Sequence, residues 1–148
     1  MRSDLRVVSV AAWCPWHDYA DSRIVGASIR EAIEASDCAA ARSASGSLSQ
    51  RIHDNHAAEA GLFTISGEFY RQVDLRVLEL WEGGRFDEFV AMLPEYAATC
   101  HGEGLMHDTA MLIGALGWDA YHGSAEIITP WFPSSGTGQV NAVFPLAA

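Results

Sequence analysis

The sequence contains no lysine. All nine basic residues are arginine, set against nineteen acidic ones, for a formal charge of −10. A surface this acidic repels phosphate backbones, so nucleic acid is not an expected partner. Cysteine is scarce as well. Cys14, Cys38 and Cys100 are odd in number, widely spaced and form no CxxC pair, which fits reduced thiols in a cytoplasm better than a disulfide frame or a zinc knuckle. No apolar run approaches the ~20 residues of a membrane-spanning helix. The charged opening, residues 1–6, has no long apolar stretch behind it, so no signal peptide is read. The serine-rich string at residues 45–49 (SGSLS) is not GxSxG, which leaves a serine hydrolase little support, and no histidine spacing matches HExxH.

What is present is a chain of 148 residues, 49% hydrophobic, long enough for one domain with its own core. Residues 6–12 (RVVSVAA) form a β-branched apolar run that reads as a buried strand. Asp18, Asp21 and Ser22 supply helix-start chemistry. Val25, Ile29, Ala32 and Ile33 then share one helix face, ending near Ser36 and Asp37. Residues 38–44 (CAAARSA) read as a second strand, which makes a parallel βαβ unit. Ligands of open parallel sheets bind beyond the carboxyl ends of the strands, and the loops of His17 and Gln50 both lie at that edge. The polar residues 51–61 read as a surface segment. Ser66 is placed to cap a helix through Trp81, with Phe69, Val73, Val77 and Leu80 inward and Gly83 and Gly84 stopping it. A shorter stripe of Phe86, Phe89, Val90 and Leu93 ends at Pro94, a third helix spans 103–117, and residues 125–132 and 139–144 read as closing strands. The fold class is therefore α/β: a mixed sheet with an N-terminal βαβ unit, helices packed on it and two C-terminal strands. Opening directly into a buried strand with nothing to cover one side is what an incomplete domain would look like.

The stretch that concentrates chemistry is residues 101–108 (HGEGLMHD). Gly102 and Gly104 let the backbone turn sharply around Glu103. On spacing alone Glu103 reads as a charge at a helix N-terminus, stabilising by ~0.3–1 kcal/mol, with metal ligation as the second reading. Glu103 and His107, four apart, would share a helix face, and His101 stands beside them. His53 and His56 sit in a polar loop and read as solvated, and His122 reads as a turn residue. Residues 134–138 (SSGTG) offer hydroxyls and backbone N–H groups that suit either an anionic group or an ordinary tight turn.

Six strings then join into one pattern: residues 17–23 (HDYADSR), 44–49 (ASGSLS), 69–74 (FYRQVD), 92–96 (MLPEY), 102–108 (GEGLMHD) and 134–145 (SSGTGQVNAVFP). In order and along nearly the whole chain they resemble the class III (LigB-type) extradiol ring-cleavage dioxygenases, in the C-terminal half of such an enzyme. The resemblance implies a non-haem Fe(II) held by two histidines and one glutamate with open positions, and cleavage of 3,4-dihydroxyphenylacetate or a similar catechol by O₂ beside the diol. It assigns Glu103 as the glutamate ligand. It places His17 at a strand-end loop histidine lining the pocket, and Ser134, Ser135 and Thr137 as substrate-binding residues. Two departures follow from the same resemblance. The family's two histidine ligands belong to its N-terminal half, and none of His17, His53, His56, His101, His107 or His122 matches them. The family's acid–base histidine after SGSLS is Gln50 here, and glutamine does not shuttle a proton near neutral pH. The expected functions are a truncated or split dioxygenase, inactive alone and complemented by a missing N-terminal half or assembled as an oligomer; a non-catalytic partner subunit of a heteromeric dioxygenase; or, independently of the resemblance, a small-anion binding module.

Overall fold

The computed structural model describes residues 6–12, 16–52 and 58–146. Its order is α1 (Tyr19–Glu34), α2 (Ala58–Gly61), α3 (Glu68–Glu82), α4 (Phe86–Cys100), a 3-10 turn (Glu103–Met106), α5 (His107–Leu116), a second 3-10 turn (Trp118–Ala120), and four short strands: β1 (Glu126–Ile127), β2 (Phe132–Ser134), β3 (Thr137–Gln139) and β4 (Ala142–Val143). The class is mixed α/β. The strands form two antiparallel pairs, β1 with β4 and β2 with β3. No helix among the described residues is long and apolar enough to cross a membrane.

The helix-start chemistry is realised at α1. Asp18 accepts from the Asp21 N–H at 2.8 Å, and the Asp21 carboxylate accepts from the Asp18 N–H at 3.4 Å, a reciprocal capping box. The helix lies tightly on α5. A Cβ at Gly26 would overlap the Met111 carbonyl oxygen, so only glycine permits this approach. The core gathers Val77, Leu80 and Trp81 from α3, Phe86, Phe89, Leu93 and Tyr96 from α4, and Met106, Ala110 and Ile113 from α5. Aromatic edges lock it: Trp81 meets Phe89 at 5.4 Å and Phe144 at 5.2 Å, and Phe86 meets Tyr121 at 4.8 Å.

Several expectations need correction. The parallel βαβ unit is not formed among the described residues: residues 6–12 and 38–44 belong to no strand, Cys38 lies in a bend, and Val7, Val8 and Val10 are exposed rather than buried. A strand exists only through a neighbour's main-chain bonds, and neither segment finds one in the described residues. Ser66 does not cap α3. Its hydroxyl donates to the Arg51 and Gly136 carbonyls, and Gly67 holds the cap position. Pro94 does not end α4, which continues to Cys100 because Tyr96, Ala97 and Cys100 are buried beyond it; that burial outweighs the lost N–H bond. The helix expected over 103–117 breaks at Met106, which is left-handed. Instead of two closing strands there are four shorter ones. Phe69 faces outward on α3.

Candidate active site

The turn after α4 gathers five of the positive-φ residues found among the described residues. His101, Gly102, Gly104, Leu105 and Met106 all take positive φ, at 67°, 39°, 58°, 53° and 64°. For the three that are not glycine this conformation costs roughly 1–3 kcal/mol each and persists only where surroundings impose it. Here they do. Gly102 N–H donates to the Cys100 carbonyl at 2.9 Å, Glu103 N–H to the Ser47 carbonyl at 3.1 Å, and the Tyr19 hydroxyl to the Leu105 carbonyl at 2.9 Å.

The turn presents Glu103 at the surface, and one of its oxygens is fixed. Oε2 accepts from the Ser47 N–H at 3.0 Å and the Ser47 hydroxyl at 3.2 Å. Oε1 has no hydrogen bond among the described residues. Ser47 begins the SLSQ segment, and its far end is tied to the same turn: Gln50 N–H donates to the Cys100 carbonyl at 2.9 Å. Gln50 also faces Thr137 across an isolated antiparallel bridge. On the other flank, His107 is buried with Nδ1 2.7 Å from the Ser22 hydroxyl. It stacks on Tyr19 at 4.9 Å, and His17 meets its ring edgewise at 6.3 Å. Burial, and then the neighbouring His17, hold the His107 imidazole below its ordinary value, which favours its neutral form. His17, Gln50 and Glu103 thus each contact or lie within residues 100–107, with no parallel sheet edge to hold their loops.

The other expected residues divide. Thr137 is buried, and its hydroxyl donates to the Ser134 carbonyl at 2.6 Å. The N–H groups of Ser135, Gly136 and Gly138 donate to Leu62, Thr64 and Ser49 carbonyls. The 134–138 turn therefore has these N–H groups occupied within the protein. His101 and His122 are exposed. His53 and His56 lie outside the described residues, as does Cys14. Cys38 and Cys100 are free thiols, and burial pushes Cys100 up to about 11.

Sequence reasoning passed over Asp74. It is fully buried on α3, and its two oxygens accept from the Ser49 N–H, the Ser49 hydroxyl, the Tyr96 hydroxyl and Trp131 Nε1–H at 3.0, 2.8, 2.8 and 3.0 Å. The signal was available: Asp74 falls three before Val77, four before Leu78 and seven before Trp81, on the buried stripe of the helix.

No group of three His, Cys, Asp or Glu side chains placed to hold a metal ion occurs among the described residues. The donors among the described residues do not fit an iron centre: no pair of described imidazoles is grouped with the Glu103 carboxylate to hold an ion.

The chain matches, over residues 2–145, the family model described as the catalytic LigB subunit of aromatic ring-opening dioxygenase. It is 53% identical over 125 residues to 3,4-dihydroxyphenylacetate 2,3-dioxygenase of Escherichia coli. That match covers 84% of this chain and 45% of the relative, in its C-terminal half, so the chain spans about half the length of the enzyme it resembles.

Proposed function

Because the chain belongs to the LigB family of aromatic ring-opening dioxygenases, we propose that it supplies the C-terminal wall of an extradiol dioxygenase site acting on 3,4-dihydroxyphenylacetate or a similar catechol with O₂. The observation that carries this reading is the Glu103 carboxylate, clamped through one oxygen by Ser47 and bare at the other, on a strained turn flanked by Gln50 and His17. In this reading Glu103 is the protein's carboxylate ligand to Fe(II). The two imidazole ligands come from a complementing N-terminal half. His17 lines the pocket, and Ser134, Ser135 and Thr137 lie on its substrate side. Gln50 takes the acid–base position and orients by hydrogen bonding without moving a proton. The chain alone binds Fe(II) weakly or not at all and does not cleave the ring.

Gln50 also favours a second reading, a non-catalytic partner subunit paired with a catalytic chain, because it removes proton transfer while leaving the surrounding turn intact. The anion-binding reading gains nothing from the 134–138 turn, whose Ser135, Gly136 and Gly138 N–H groups are occupied. Neighbouring coding sequence separates the first two: a reading frame with the two missing histidines supports a split enzyme, and an intact full-length relative supports a partner subunit.

The direct test is anaerobic Fe(II) titration with a dihydroxyphenylacetate ring-cleavage assay. Stoichiometric iron and turnover by the chain alone would overturn the complementation reading. With the N-terminal half supplied in trans, iron binds and cleavage stays slow. Gln50→His then raises the rate by ~10²–10⁴-fold, the usual worth of acid–base help, without changing iron affinity, whereas Glu103→Gln weakens iron binding.

A further inference from the structure

The family reading assigns the ends of the SLSQ segment and leaves open what holds its middle. Ser47 grips Glu103 at one end, and Gln50 is tied to the Cys100 carbonyl at the other. Between them, Leu48 N–H donates to the Gly138 carbonyl at 2.9 Å, and Gly138 N–H returns to the Ser49 carbonyl at 3.0 Å. Beneath both sits Asp74. Each of its oxygens accepts two donors: Oδ1 takes the Ser49 N–H and the Tyr96 hydroxyl, and Oδ2 takes the Ser49 hydroxyl and Trp131 Nε1–H. A carboxylate is the one side-chain group of this size that accepts at both ends and donates at neither. An amide would turn its NH₂ toward two of these donors. The surrounding chain is shaped to the carboxylate, since a Cβ at Gly138 would overlap Asp74 Oδ2.

We propose that Asp74 is a positioning residue: its carboxylate fixes the SLSQ segment, and through Ser47 it fixes where Glu103 is presented. The inference rests on the reading of Glu103 and Gln50 as site residues, but its physical content concerns this chain alone. Ser49 is the only one of the four SLSQ residues bonded to Asp74, and it makes both the main-chain and the side-chain contact. Losing the carboxylate therefore leaves the segment's centre held only by its main-chain bonds to Gly138, while the helices on either side keep their own hydrogen bonds.

Residue-resolved amide hydrogen exchange on the isotope-labelled full chain tests this without iron or substrate. In Asp74→Asn, the amides of Ser47, Ser49 and Glu103 should exchange at least tenfold faster, relative to Phe89 in α4 and Ile113 in α5, than in the parent chain. Tyr96→Phe removes one donor from Asp74 but neither bond from Ser49, and should leave the Ser47 and Glu103 ratios unchanged. If Asp74→Asn speeds all amides together, or lowers the melting temperature with the Ser47 and Glu103 ratios intact, Asp74 is a buried stabilising group and positions nothing. The same holds if Tyr96→Phe reproduces the full Asp74→Asn pattern. Should Asp74→Asn fail to fold, Ser49→Ala, which removes only the hydroxyl contact, should raise the Ser47 and Glu103 ratios by a smaller factor, and unchanged ratios would overturn the proposal. A chain that never supports ring cleavage leaves this result untouched, so failure of the dioxygenase reading and failure of this one are separately visible.

Discussion

Asp74 and Asp108 are both aspartates withdrawn from water, and the regions around them are built to different degrees. Asp74 is ringed by four donors from three separate stretches of chain. The Asp108 oxygens are buried with only weak contacts from the Asp108 and Thr109 N–H groups and the Thr109 hydroxyl at their own helix start, and Trp81 Nε1 is buried without a hydrogen-bond partner among the described residues. Asp108 and Trp81 line one cavity of about 340 Å³, walled by residues 40–44 and 46–48 on one side and by Val140, residues 142–144 and Leu146 on the other. Residues 39–45 make no backbone–backbone hydrogen bond among the described residues. Buried polar groups are ordinarily satisfied, so the contrast separates a fully paired region around Asp74 from a region around Asp108 left open among the described residues. Residues 40–44, which line this cavity, belong to no strand among the described residues.

The largest effect is expected in the aromatic core that both regions share. Phe86 is wholly buried and packs edge-on to Tyr121 and to Phe144, which itself lines the Asp108 cavity. Phe86→Ala should destabilise the free chain by ~3–5 kcal/mol in urea melts. A loss below ~1 kcal/mol would mean that the openness around Asp108 reaches into this core. Gly138→Ala comes next. Its methyl would overlap Asp74 Oδ2 and press on Trp131 Nε1, and forced overpacking typically costs ~1–3 kcal/mol. A neutral result would show that the Asp74 ring is loose enough to yield.

Asp108 tests the open region through pH. Burial raises its carboxyl above the ordinary 3.8, ahead of every other influence. The native chain therefore keeps this proton to a higher pH than the unfolded chain. Between the two values the native state binds more protons, so this group's contribution to stability declines as pH rises through that window. Asn is permanently neutral. Asp108→Asn should be more stable than the parent at pH 7, with the gain shrinking on acidification and vanishing below the ordinary carboxylate value. Denaturant melts from pH 3 upward would show it. Destabilisation at pH 7 would reveal partners for Asp108 and dissolve the contrast with Asp74.

What the sequence makes legible follows the same division. The α1 start could be read because Asp18 and Asp21 act within one turn, and the α3 stripe because Val77, Leu80 and Trp81 repeat at helical spacing. Glu103 could be picked out from its flanking glycines, but its exposure on a left-handed turn could not, since Leu105 and Met106 carry no local signal for positive φ. Ser66 misled because a hydroxyl that suits a cap equally suits two distant carbonyls. Pro94 misled because burial beyond it decided where α4 ends. Residues 6–12 and 38–44 have strand composition, yet pairing is a property of two segments. No periodicity in one reports whether the other is present.

The smallest effect expected is at Val8, in the first apolar run. The side chain is 88% exposed in a segment with strand-forming composition and no strand. Val8→Thr keeps the β-branched shape and exchanges one methyl for a hydroxyl. In a packed strand that exchange leaves a buried hydroxyl in need of a partner, which costs ~1–3 kcal/mol. On an exposed segment it should fall within about 0.5 kcal/mol of the parent. Urea melts of the free chain at neutral pH distinguish these outcomes. A loss above ~1 kcal/mol would mean that residues 6–12 are packed in solution, and that the incompleteness inferred around Asp108 does not extend to the first apolar run. If the loss is negligible in the free chain but the same substitution weakens association with a supplied N-terminal half, the first apolar run acquires a specific use: Val8 becomes buried only when the partner strand arrives.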